Sequence, residues 1–315
     1  MNDEIGENEL AFVQIGMNSN DLPATLRLYS QLFGFSNAGG APAWGDNLQV
    51  QGLGPNSHMM MWWMVGADPF FQLEFFTHGE PAQRPLRADW RPSDHGWVRF
   101  GVAIQDFDRV VAGLANLSIP VLGTAGAAPN RRLAFRDPQI GCIVEAIERP
   151  DKPGPSVIYA TSSVADLEAA RTLYGQTIRA VIRPLEELHG PEDEALWGLA
   201  DARRTGFLAK LPGGILEIVQ YSDPVGRPRP ADYRTSDQGI VNMALGSRNK
   251  PLVENLIDRV RADGRTLTYV LDMPNMCATY SIDPGYELEL LSVPHELDAF
   301  LGYTKTVPFL AEPWE

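Results

Sequence analysis

The chain repeats itself, and a duplicated chain has few folds open to it. Asp89-Trp90-Arg91-Pro92-Ser93-Asp94-His95-Gly96 returns as Asp232-Tyr233-Arg234-Thr235-Ser236-Asp237-Gln238-Gly239, and Arg84-Pro85 returns as Arg227-Pro228 at the same spacing. Asp21-Leu22 with Tyr29 returns as Asp166-Leu167 with Tyr174, and Asp137-Pro138 returns as Asp283-Pro284. Anchors that hold one spacing to within three residues over the whole chain point to duplication, which sets the folding unit before any element is assigned. The joint falls at Arg149-Pro150-Asp151-Lys152-Pro153-Gly154-Pro155, a proline-rich linker. The expected units are residues 10–150 and 155–292, with a tail over 293–315.

Each half is itself double. Leu10 to Asn18 alternates as a strand, Asp21 suits a helix N-cap, and Leu22, Leu26, Tyr29 and Phe33 make one helical stripe. Trp97 to Ile104 is again a strand, followed by Asp106 and a helix face of Phe107, Val110, Val111 and Leu114. Ile158 to Val164 leads into a helix from Asp166, and Ile240 to Leu245 into one carrying Leu252, Val253, Leu256, Ile257 and Val260, stopped near Gly264. Short strands follow at His58 to Val65, Phe71 to Phe76, Gly206 to Leu211 and Ile215 to Gln220. The pattern predicts an α+β protein: two tandem domains of paired βαβββ modules, each a curved sheet forming a cup with helices outside.

Composition narrows the partners. With 315 residues and 44% hydrophobic content, two cores of ordinary size are affordable. A net charge of −14 argues against nucleic acid and anionic membrane as partners. Cys142 and Cys277 sit at unmatched places in the repeat and predict no disulfide framework. Met1 to Leu10 is acidic and unlike a signal peptide, and no apolar run is long enough to span a bilayer. The expectation is a cytoplasmic protein with a small-molecule ligand; homodimer formation is left open.

The spacing of polar residues in these modules resembles the vicinal-oxygen-chelate superfamily, which includes glyoxalase I, bleomycin-resistance proteins and extradiol dioxygenases. There the first strand of a module carries an inward ligand seven residues before the helix-opening Asp, as in Gln14-Ile15-Gly16-Met17-Asn18-Ser19-Asn20-Asp21. Leu73-Glu74-Phe75-Phe76-Thr77-His78 looks like the Leu-Glu-Leu-Thr-His stretch of glyoxalase I. Gly96-Trp97-Val98-Arg99 stands where Gly-x-x-His is usual, and Asp137-Pro138-Gln139-Ile140-Gly141 leads to Glu145 as the final-strand acid. The first half therefore offers Gln14, Glu74, Arg99 and Glu145. By the same rule the second offers Tyr159, Glu217, Asn242 and Glu289.

The resemblance implies a metal, but the residues depart from its ligand sets. The dioxygenase triad of two His and one Glu on iron is missing, because none of His58, His78, His95, His189 and His295 falls in a ligand place. Ring cleavage is therefore the least favoured activity. Arg99 breaks the glyoxalase set, since a guanidinium binds no cation. No cofactor is expected; Mn, Fe, Ni or Zn on Gln14, Glu74 and Glu145 is the alternative. Arg99 is expected to pair with Glu74 or Glu145. The favoured function is a glyoxalase-like isomerase, epimerase or lyase acting on a hydrophobic, aromatic carbonyl compound by carboxylate proton transfer. Glu74, Arg99 and Glu145 would be catalytic, and Gln14, Trp62, Tyr159, Glu217, Asn242 and Glu289 would bind substrate. The competing reading is a non-catalytic protein that sequesters an aromatic compound. The strand Met59 to Met64 turns either Met60, Trp62 and Met64 or Met59, Met61 and Trp63 into the cup.

Overall fold

The computed structural model describes residues 5–307; residues 1–4 and 308–315, the end of the expected tail among them, lie outside the described residues. Four βαβββ modules follow one another. The first comprises β1 (Ala11–Asn18), α1 (Leu22–Leu28), β2 (Ser36–Trp44), β3 (His58–Val65) and β4 (Gln72–Glu80). The second has β5 (Gly96–Ile104), α2 (Phe107–Asn116), β6 (Val121–Ala125), β7 (Arg132–Arg136) and β8 (Ile143–Glu148). The third is β9 (Ser156–Ser163), α3 (Leu167–Thr172), β10 (Val181–Arg183), β11 (Arg203–Leu211) and β12 (Gly214–Asp223). The fourth is β13 (Gly239–Ser247), α4 (Lys250–Ala262), β14 (Leu271–Asp272), β15 (Cys277–Ser281) and β16 (Leu288–Ser292).

Local chemistry explains the helices. Asp21, Asp106 and Asp166 each cap a helix by accepting a hydrogen bond from a backbone amide of its first turn, and Asn249 does the same for α4. The Tyr29 stripe continues past α1 as a wider π-helical turn, Tyr29–Phe33. No described helix is long and apolar enough to cross a membrane. Both cysteines are free and buried.

The sheets join modules across the halves. One eight-stranded sheet runs β14-β15-β16-β13-β1-β4-β3-β2, and the other runs β10-β11-β12-β9-β5-β8-β7-β6. Modules one and four thus share a sheet, as do modules two and three. This corrects the expectation of one cup per half: each cup draws one module from each half. Connection length accounts for it. The linker from β8 to β9 is short and folds β9 antiparallel onto β5, whereas residues 81–95 and 224–238 are long enough to cross between sheets. These crossings carry the repeated motif, and they clasp reciprocally. Arg84 bonds Asp232 at 2.5 Å and Asp237 at 2.6 Å; Arg227 bonds Asp89 at 2.5 Å and Asp94 at 2.7 Å.

The helices lie on the face of each sheet away from the cup, where one core gathers residues from all four modules. Tyr29 shows how it is shared: its ring lies 5.0 Å from Phe75 of one sheet and 6.4 Å from Phe100 of the other.

Candidate functional site

Strand register puts the family positions on matching rungs. Gly16 pairs with Glu74 as Thr161 pairs with Glu217, and Ala244 pairs with Glu289 as Gly101 pairs with Glu145. Gln14 and Tyr159 therefore correspond, as do Glu74 and Glu217, Asn242 and Arg99, and Glu289 and Glu145. What the sequence grouped wrongly is which four meet. The first cup, from modules one and four, holds Gln14, Glu74, Asn242 and Glu289. The second, from modules two and three, holds Arg99, Glu145, Tyr159 and Glu217.

The second cup is filled by its own side chains. Arg99 is fully buried and pairs with Glu217 at 2.7 Å, not with Glu74 or Glu145 as expected, and its guanidinium lies 3.6 Å over the Trp197 ring. Tyr159 donates to Glu145 at 2.5 Å, and Trp197 Nε1 donates to the same carboxylate at 3.2 Å. Arg132 bonds Glu145 at 2.5 Å and Asp193 at 2.6 Å. His189 Nδ1 lies 2.8 Å from Glu217, Thr161 donates to Glu217 at 2.5 Å, and Arg204 pairs with Glu194. Burial works against ionisation of Glu217, but His189 and Arg99 outweigh it and hold the carboxyl well below its usual range. His189, Asp193, Glu194 and Trp197 come from the segment between β10 and β11, which occupies the concavity. With Arg99 and Arg132 on its carboxylates, this set does not fit a metal cation.

The first cup is balanced differently. Gln14 Nε2 donates to Glu74 at 2.6 Å and to Glu289 at 2.9 Å, and Gln72 Nε2 donates to Gln14 Oε1 at 2.7 Å. Trp63 Nε1 donates to Glu74 at 2.8 Å, and Asn242 Nδ2 to Glu289 at 3.2 Å. Tyr280 is also hydrogen-bonded to Glu289. Among the described residues neither carboxylate has an ion-pair partner. Burial, then the charge of Glu289, pushes Glu74 well above the usual carboxylate range; burial raises Glu289 to about 7. Glu74 and Glu289 keep 7% and 8% exposure where Glu145 and Glu217 keep none, so only the first pair retains access.

The cup wall corrects one expected binder. Register pairs Trp63 with Glu74, so Met59, Met61 and Trp63 face the cup, joined by Leu48, Leu53 and Phe76. Trp62 turns to the other face, where its Nε1 bonds Asn37 at 2.8 Å. The sequence reading also missed Gln72, Tyr280 and, from the tail, Tyr303. Strand alternation from Glu74 would have flagged Gln72; Tyr280 lies opposite Glu289 on the adjacent strand and needed the register, and nothing local marked Tyr303.

A metal at the first cup can be tested against its donors. Glu145 belongs to the second sheet, so the ligand set Gln14, Glu74 and Glu145 does not exist. Among the described residues no three His, Cys, Asp or Glu side chains are grouped so as to hold a metal ion. Counting amides, Glu74, Glu289 and Asn242 give an oxygen set, and Asn242 Oδ1 is buried with no hydrogen-bond partner among the described residues. That fits a hard divalent cation such as Mn or Mg better than zinc. Gln14 would join only by turning its amide to present Oε1.

The raised acid predicts a pH dependence. A carboxyl whose pKa is 4.5 unfolded and about 7 folded stabilises the fold below pH about 4.5, and that contribution is lost as pH rises through about 7. Glu289→Gln removes the loss. Chemical denaturation should show the variant gaining on wild type between about pH 5 and about pH 8, by ~3 kcal/mol at the upper end. Parallel pH curves for the two proteins would refute an ionising Glu289.

No protein-family model matches the chain, and no curated protein matches it. Solved structures do. Glyoxalase I from Zea mays aligns at a TM-score of 0.59 with 14% identity, over 93% of this chain and 94% of that one. A Bacillus subtilis protein provisionally named a dioxygenase aligns at 0.58 with 12% identity, over 96% and 92%. Likeness at this identity speaks to architecture. The chain has the vicinal-oxygen-chelate fold in two tandem copies, the fold of glyoxalase I.

Proposed function

We propose that the first cup is the working site and that it moves a proton beside the carbonyl of a neutral, hydrophobic, α-oxygenated compound, as an isomerase, epimerase or lyase would. One observation carries this: two buried carboxylates meet on a single amide with no ion-pair partner among the described residues. Their environments set them apart. Glu289, at about 7, is partly ionised at neutral pH, while Glu74 stays protonated. Two acids separated in this way supply a base and an acid to one substrate. Glu289 takes the proton from the carbon beside the carbonyl, the C–H electron pair forms the new C=C bond, and the carbonyl oxygen receives the proton of Glu74. Glu289 then returns its proton to the former carbonyl carbon while the neighbouring hydroxyl, becoming the new carbonyl, gives its proton to Glu74, so both groups regain their starting states and the rearranged product is left.

The same charge excludes anionic substrates, and Met59, Met61 and Trp63 favour an apolar, including aromatic, body. When bound, a divalent cation would polarise the substrate oxygens; Glu74, Glu289 and Asn242 would hold it.

The test is proton NMR in deuterated buffer on neutral α-hydroxyketones, with 2-hydroxyacetophenone first. Wild type should wash out the α-proton, and Glu289→Gln should slow this at least about a hundredfold. If wild type binds these compounds but exchanges none, sequestration replaces proton transfer.

A further inference from the structure

The segment after β16 lies outside the repeat, yet it lines the first cup. Arg248 pairs with Asp298, donates to the Val293 carbonyl at 3.0 Å, and stacks 3.6 Å over the Phe70 ring. Phe70 in turn meets Tyr303, with ring centroids 4.9 Å apart. Further along, Thr306 N donates to the Asn37 carbonyl at 2.8 Å, and Asn37 Nδ2 donates to the Val307 carbonyl at 2.6 Å. The strap is therefore fixed on both sides of Tyr303. Gly302 lies against Trp63 so closely that a Cβ there would strike the indole, and that indole is the one bonded to Glu74.

Tyr303 shares one buried apolar cluster with Val13, Ala244 and Leu291. Those residues neighbour Gln14, Asn242 and Glu289 in β1, β13 and β16, so the ring sits beside the polar cluster. Its hydroxyl is buried and has no hydrogen-bond partner among the described residues. Burying an unbonded hydroxyl costs about 1–3 kcal/mol, and folded proteins rarely accept that. Burial, with Glu289 and Glu74 next, keeps the phenol protonated and so a donor.

We propose that Tyr303 is a substrate-binding residue of the first cup, its hydroxyl donating a hydrogen bond to an oxygen of the bound compound. This rests on the reading of the first cup as the working site. It adds a specificity element: a ligand oxygen that reaches the strap side of the carboxylate pair, which a simple hydrocarbon lacks.

Tyr303→Phe removes only the hydroxyl, so the test combines three measurements on the full chain. Calorimetric titration with 2-hydroxyacetophenone should show Kd rising about tenfold, while acetophenone, without the second oxygen, should bind wild type and variant alike. Exchange of the α-proton should fall at least as far as affinity. The thermal midpoint should hold or rise, because no protein partner is lost. Equal Kd for both proteins, with a lowered midpoint, would mean that the hydroxyl bonds a structural water, and would overturn the proposal. A wild type that binds without exchange ends the proton-transfer reading but leaves Tyr303 standing on its affinity difference. A wild type that neither binds nor exchanges any α-hydroxyketone overturns both.

Discussion

An Arg99→Met variant is expected to lose about 3–5 kcal/mol of folding free energy and to keep the exchange activity proposed for the first cup. The size follows from what the side chain leaves behind. Glu217 is wholly buried and its partner at 2.7 Å disappears. His189 at 2.8 Å and Thr161 at 2.5 Å remain, which keeps the cost within the range for breaking one buried pair. The loss should be greatest above the usual carboxylate range. Glu217 has its pKa held down by its partners, so its stabilisation is present at neutral pH and fades as pH falls through its folded value. Denaturant titration at neutral pH measures the first part and α-proton exchange the second. An undiminished midpoint with abolished exchange would move the working site to the second cup.

Trp197→Ala should be comparably damaging, at about 3–5 kcal/mol. The indole is 1% exposed, carries Arg99 on its face and donates to Glu145. Its removal leaves a cavity among charges that cannot close without separating ion pairs. Thermal unfolding checks this, and exchange should again survive. A loss below about 1 kcal/mol would show that the segment between β10 and β11 is a loose cover rather than part of the core.

Much of this architecture was legible because it is local. The Asp caps, the period-two strands and the repeated motif each depend on residues close in sequence. Register made the eight polar positions legible as well, since a strand fixes which side chains share a face. Pairing between modules was not legible. Nothing in the alternation of Gln14's strand says whether it will lie beside Arg99's strand or Asn242's; that depends on the lengths of residues 81–95 and 149–155. The cup-facing set of β3 was open for a related reason, since both its faces are apolar. His189, Trp197 and Tyr303 were invisible because they come from irregular segments whose positions are set by what they pack against.

The reciprocal clasp of Arg84 and Arg227 bears on how such a chain can change over time. A single half, doubled about the same axis, would make a symmetric dimer with two identical cups. Once both halves lie in one chain that symmetry is released, but neither half can drift alone, because each contributes a wall to both cups. Divergence must then proceed cup by cup. Arg99 and Tyr159 lie in different halves, yet both belong to one plug of ion pairs and hydrogen bonds. Gln14 and Asn242, their counterparts, are neutral and leave Glu74 and Glu289 without an ion-pair partner among the described residues. One cup is thus charge-balanced and rigid while the other holds unbalanced charge, and each draws its residues from both sides of the joint.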